Sequence, residues 1–244
     1  MGAALNAAFD FPGRDTLQVA VKRLVRSIDT DVHGTWGGGL RYAGNPHVDS
    51  SILEPMLLRF GAPSLASILD ASLRPGDTFV DVGANIGVYA MWAARRVGPT
   101  GSVLAFEPVP TTRALLERNL AENGFAHVEV QARGVGAAPG AITLHVVPGA
   151  SGLSSRYRAD ADAAQPVEVE VVTLDDVFAA RPPPRAMKVD VEGMELDVLR
   201  GAGRLLAPGG ILYLYGPYRR DGRQTSESNV RFEQWLKGLS PEYG

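Results

Sequence analysis

From Thr78 onward the chain alternates short apolar runs with apolar residues spaced three and four apart, a pattern that predicts strands interleaved with helices. Phe79, Val80 and Val82 form the first run; Gly83, Asn85 and Gly87 break it, and Val88–Val97 resumes with helical character. Ser102–Phe106 predicts a second strand ending at Glu107, and Pro108 and Pro110 launch a helix over Thr111–Asn123 that Gly124 closes. Val128–Gln131 is the third strand, and the run from Ala186 to Val191 is the fourth, placed beside the first at the centre of the sheet. An amphipathic helix over Met194–Leu206 then leads into a fifth strand, Ile211–Tyr215, and Ser226–Lys237 can form one further helix. Two segments, Ala141–Val147 and Pro166–Thr173, alternate strictly and predict an antiparallel excursion from the parallel sheet, joined by the polar stretch 149–164. A short helix begins at Thr173 and stops before the prolines at 182–184. The architecture implied is α/β, doubly wound and mostly parallel, of Rossmann-like type.

The region before residue 73 reads as a helical extension or lid, and residues 73–244 as the main domain. Leu17, Val21, Leu24, Val25 and Ile28 share one helical face, and two further helices lie between Asp49 and Ser72, broken near Gly61 and Pro63. His33–Gly39 reads as a flexible turn.

Composition narrows the function by exclusion. With 24 Lys and Arg against 27 Asp and Glu the net charge is −3, and no dense basic run favours nucleic acid. There is no cysteine, so disulfides and thiolate metal sites are ruled out. The N-terminus lacks a basic segment followed by an apolar one, and no apolar run approaches membrane-spanning length. The expectation is a cytoplasmic protein without membrane or nucleic-acid partners.

The glycine-rich turn carries the first functional signal. A strand, such a turn and a helix start together offer close main-chain approach and unpaired N–H groups to a small polar ligand. A dinucleotide fingerprint would have glycine where Asn85 stands, and Asp81 at the strand tip is a poor neighbour for pyrophosphate. It suits an ammonium or sulfonium group, both of which S-adenosylmethionine (SAM) carries. Glu107, 20 residues after Gly87, is placed to accept two ribose hydroxyls, a role common to SAM and nicotinamide sites. On the fourth strand, alternation sets Lys188, Asp190 and Glu192 on one side, and charges on a central strand are costly to bury unless they pair or bind.

VDVGANIG at 80–87, FEP at 106–108, TLDD at 173–176 and MKVDVEGMELDVLRGA at 187–202 occur in this order, and together they resemble the FkbM family of SAM-dependent methyltransferases. The resemblance implies a class I methyltransferase fold and SAM as cofactor. Its contacts fall on Asp81, Val82, Gly83, Ala84, Asn85, Gly87, Glu107 and Pro108, with Gly134 leaving room for the adenine. From about Leu212 the tail departs from that pattern and looks more like another class I methyltransferase-like group, and the two strands that usually complete such sheets are expected to be missing. An open edge of that kind would favour a homodimer. The acceptor implied is a small molecule bearing a hydroxyl, such as a sugar or polyketide; N-methylation and a non-catalytic SAM-binding role are the alternatives. Asp190 and Glu192 are the candidate bases, with Lys188 either orienting Asp190 or stabilising a developing alkoxide. The two carboxylates could also hold Mg²⁺. Ser151, Ser154, Ser155, Arg156, Tyr157 and Arg158 are further candidates for acceptor contacts.

Overall fold

Five parallel strands carry the rest of the molecule. The computed structural model describes residues 30–36, 38–46, 65–146, 164–191, 193–205, 210–214, 219–220, 223–224, 230 and 234. Two of its strands lie near the N-terminus, β1 (Val32–Trp36) and β2 (Leu40–Gly44). The central sheet is built from β3 (Thr78–Val82), β4 (Ser102–Phe106), β5 (Val128–Gln131), β9 (Ala186–Val189) and β10 (Ile211–Leu214), in the order β10-β9-β3-β4-β5. Every pairing among these is parallel. The chain winds outward from β3 through β4 to β5, then returns to β9 on the other side of β3. The junction of β3 and β9 is therefore the point where strand order reverses, and the crevice beyond it is where ligands bind in open α/β sheets.

Alternation along the strands divides the core in two. Phe79, Val103, Ala105 and Ala186 point to one face, where α1 (Leu65–Ser72), α2 (Val88–Val97) and α3 (Pro110–Glu122) cover them. Val80, Val82, Leu104, Phe106, Met187 and Val189 point to the other, against α4 (Leu174–Val177), α5 (Glu195–Arg200) and the turn that follows it. Helices on both faces make the sheet doubly wound, as the pattern predicts. Each fully buried side chain of this kind contributes about 1.5–3 kcal/mol of transfer free energy, which is why both faces read as near-continuous apolar runs.

The antiparallel excursion is present: β7 (Gly140–Val146) pairs with β8 (Gln165–Val172). A short β6 (Gly134–Val135), which the pattern does not reveal, adds to β8 in parallel. The segment 151–158, with its serines and arginines, lies outside the described residues. So do the helix expected up to Ile28, the first helix of the pair after Asp49 and nearly all of the helix expected over Ser226–Lys237. The short ribbon of β11 (Arg219–Arg220) and β12 (Arg223–Gln224) is separate from the central sheet. Among the described residues β10 ends the sheet on its side.

One correction concerns residues 33–39. His33–Trp36 belong to strand β1 and not to a turn. Gly38 and Gly39, at φ 80° and 96°, supply the left-handed geometry of a tight connection between β1 and β2. Alternation then buries Trp36, Leu40 and Tyr42 in the α2–α3 core. The Trp36 ring lies 4.7 Å from that of Trp92, and Asn119 of α3 accepts a hydrogen bond from Ala43 N at 2.9 Å.

Candidate active site

At the carboxyl ends of β3, β4 and β9 the backbone turns sharply. Gly83, Asn85 and Gly87 take left-handed conformations at φ 77°, 53° and 93°. Asparagine is the side chain that best tolerates this region, so Asn85 replaces a glycine at little cost. The turn is held from three sides. Gly83 N and Ala84 N both donate to Phe106 O, at 3.0 and 2.9 Å. Asn119 Nδ2 donates to Ile86 O at 2.9 Å, so the side chain that fastens the hairpin also fastens the turn. Asp190 N donates to Val82 O at 3.0 Å, bringing the chain after β9 against the tip of β3. A Cβ on Gly83 would stand 1.9 Å from Asp190 O, so only glycine fits.

The turn opens onto a cleft enclosing about 740 Å³, its open mouth included. Of the residues expected at a cofactor site, Val82, Gly83, Asn85, Glu107, Pro108 and Gly134 line it, as does Asp190. Ala84 and Gly87 do not line it; Ala84 is buried, and Gly87 packs against Leu116. Glu107 is buried, and its two carboxylate oxygens accept main-chain hydrogen bonds from Asn85 N at 3.0 Å and Val109 N at 2.9 Å. Two such bonds hold the carboxylate in one orientation while leaving lone pairs over.

Two expectations need correction. Asp81 is fully buried and does not reach the cleft, because alternation turns it to the face opposite Val80 and Val82. There its Oδ1 accepts a hydrogen bond from Lys188 Nζ at 3.1 Å. Asp81 Oδ2 is buried and has no hydrogen-bond partner among the described residues. Lys188 is likewise buried and absent from the lining, so it is not placed to meet a substrate alkoxide. Its ammonium also donates to Gly83 O at 2.9 Å, lies 3.7 Å from Asp190 Oδ2 and sits 5.7 Å from the centre of the Tyr89 ring. Glu192, the other candidate base, lies outside the described residues. Among the described residues no group of three or more His, Asp or Glu side chains is arranged to hold a metal ion.

Asp190 combines access with perturbed acidity. Its side chain is 27% exposed. Burial pushes its carboxyl above the usual carboxylate range; Asp81 adds to this and Lys188 opposes it. Glu195, which the sequence reading passes over, is buried and accepts from Val191 N at 3.3 Å and Gly193 N at 3.1 Å, stapling the chain that follows Asp190. Burial raises its carboxyl too, against those main-chain donors. The signal that could have found it is an acid in the first turn of an amphipathic helix just after a glycine. Tyr213 is also missed; it pairs in register with Lys188 across β10 and β9. Burial, with the charge of Asp190, raises its phenol. The far wall of the cleft is apolar, made by Val135, Ile142, Leu144, Val191 and Met194, and it comes largely from the antiparallel excursion.

A family model described as the methyltransferase FkbM domain matches residues 81–231, so the match continues well beyond Leu212. The chain is 33% identical over 153 residues to Methyltransferase 1 of Beauveria bassiana, an alignment covering 54% of this chain and 61% of that protein. It is 31% identical over 159 residues to the 31-O-demethyl-FK506 methyltransferase FkbM of Streptomyces tacrolimicus, covering 53% and 60%. The chain thus spans about three fifths of the length of these relatives. Among solved structures, the methyltransferase FkbM of Methylobacillus flagellatus KT is similar with a TM-score of 0.44 at 18% identity, covering 95% of this chain and 55% of that one.

Proposed function

The chain belongs to the FkbM methyltransferase family, and from that premise we propose that it transfers a methyl group from SAM to a hydroxyl oxygen of a small molecule. One observation carries the reading: Asp190 at the reversal point of the sheet and Glu107 at the neighbouring tip of β4 both line the cleft, beside a glycine turn pressed against the main chain of Asp190. The residues fit a cationic nucleoside. Asp81, Lys188 and Asp190 carry between them one more negative charge than positive, and Asp81 Oδ2 has no partner among the described residues. A sulfonium cation in the cleft, which S-adenosylhomocysteine lacks, balances that excess.

Glu107 would hold the ribose hydroxyls, Gly83 and Asn85 the amino-acid portion, and Pro108 and Gly134 would flank the base. When bound, SAM supplies an electrophilic methyl group on a sulfonium sulfur. The protein orients the acceptor hydroxyl for an in-line approach and excludes competing water, which is where much of the acceleration in such displacements arises. Asp190 takes the hydroxyl proton as the oxygen attacks, and its raised affinity for protons suits that task. Oxygen as the acceptor atom is supported by the Streptomyces relative, whose name specifies an O-demethyl substrate.

Calorimetry with SAM, S-adenosylhomocysteine and NAD tests the cofactor. A screen of hydroxylated small molecules with labelled methyl donor tests the transfer. The reading fails if NAD binds and the two sulfur nucleosides do not, or if label appears only on amines.

A further inference from the structure

Three candidates outside the direct lining stand out: the Glu195 staple, the Tyr213 phenol and the buried ammonium of Lys188. The last bridges three separate segments of the site. Lys188 Nζ donates to Asp81 Oδ1 at 3.1 Å on β3 and to Gly83 O at 2.9 Å in the glycine turn, and lies 3.7 Å from Asp190 Oδ2 beyond β9. One cation thus joins the strand tip, the turn that meets a ligand and the carboxylate on the cleft lining. We propose that Lys188 is a positioning residue that clasps the glycine turn to Asp190, and that Asp81 acts as its counter-ion and not as a cofactor ligand. The inference rests on the proposed function only for the identity of the ligand; the clasp itself is a statement about this chain.

Lys188 is 3% exposed and Asp81 0%, so neither side chain meets a ligand that occupies the cleft. A buried ammonium persists only if paired, and Asp81 supplies the pair. Its second partner, a turn carbonyl, fixes the turn in the conformation in which Gly83 lies against the main chain of Asp190. The third, Asp190, is an ion-pair partner at 3.7 Å, so its carboxylate is oriented by the ammonium while the residue still lines the cleft. The groups facing Asp190 are Lys188 on its own strand, Asp81 on β3, Tyr213 on β10 and Glu195 on α5. Lys188 and Asp81 act on Asp190 with opposite sign, which makes the clasp separable from a merely structural ion pair.

Two variants test it: Asp81→Asn, which keeps the shape of the pair, and the double variant Asp81→Asn with Lys188→Met, which removes both charges and leaves neither buried alone. The readouts are S-adenosylhomocysteine affinity by calorimetry and the titration midpoint of Asp190, followed by carboxyl carbon-13 NMR and assigned by its loss in Asp190→Asn. In Asp81→Asn the affinity is expected to stay within about threefold, and the Asp190 midpoint to fall by about one pH unit as the ammonium loses its nearer anion. In the double variant the turn loses its donor, so the affinity drops by about tenfold, and the midpoint lies above that of Asp81→Asn. A tenfold loss of affinity in Asp81→Asn alone overturns the proposal in favour of direct ligation by Asp81. Equal Asp190 midpoints in the two variants overturn it as well. The NMR comparison needs neither cofactor nor acceptor. If the wild-type protein does not bind S-adenosylhomocysteine, it is the cofactor reading that fails, and the midpoints still decide the clasp.

Discussion

At the residue scale, the site turns on one carboxylate, Asp190, that is reached by solvent and raised by burial, and another, Asp81 on β3, that is not reached at all. Asp190→Asn keeps the shape and removes the base. Turnover is expected to fall about 10²–10⁴-fold, while S-adenosylhomocysteine affinity, measured by calorimetry, changes by only a few-fold. Loss of binding in step with turnover would instead make Asp190 a ligand contact. The same variant has a stability signature with a definite sign. A carboxyl whose folded value is raised contributes stability below its unfolded value, and that contribution is lost as pH rises through the folded value. Asparagine has no such loss, so the Tm of Asp190→Asn relative to wild type should improve between pH 4 and pH 8. A constant difference across that window would contradict the burial of charge at Asp190. What alternation made legible here was that Lys188 and Asp190 lie close together. It could not show that Asp81 would be covered, because that depends on which face of β3 meets the long side chain of its neighbour.

Among the elements, the glycine turn and the two flanking strands behave as one unit. Gly83→Ala places a methyl 1.9 Å from a main-chain oxygen on a residue at φ 77°, and neither neighbour is the flexible end of a side chain. Gly87→Ala meets only the tip of Leu116, at 2.5 Å. Both are strained by their positive φ, but Gly83→Ala should in addition abolish S-adenosylhomocysteine binding, and Gly87→Ala should retain a weakened site. Matching losses in calorimetry would mean that the approach of Asp190 to the turn does not matter. Asn119→Ala removes hydrogen bonds to both Ala43 N and Ile86 O. Two buried groups are then unsatisfied, so destabilisation of about 2–4 kcal/mol in urea unfolding is expected, with both hairpin and turn loosened. The central strands could be read from the sequence almost to the residue, because parallel strands buried on both faces leave unbroken apolar runs. The hairpin could not. Its glycines are as compatible with a loop as with a tight turn, and the burial of Trp36 comes from long-range packing on α2.

For the molecule as a whole, the site gathers the ends of three strands that are far apart in sequence, so a ligand bound there should stabilise the entire sheet. A ligand that binds only the folded state adds about 2.7 kcal/mol at a hundred times its Kd. For a chain of 244 residues that corresponds to a rise in Tm of about 5–10 °C. S-adenosylhomocysteine is expected to produce this shift, and NAD at the same concentration none. The asymmetry is electrostatic: the carboxylates of Glu107 and Asp190 on the cleft lining repel a pyrophosphate, which S-adenosylhomocysteine does not carry. No helix among the described residues is long and apolar enough to cross a membrane. If both nucleosides raise the Tm equally, the charge around the cleft is not what selects the ligand, and the recognition would lie with Glu107 and the ribose alone.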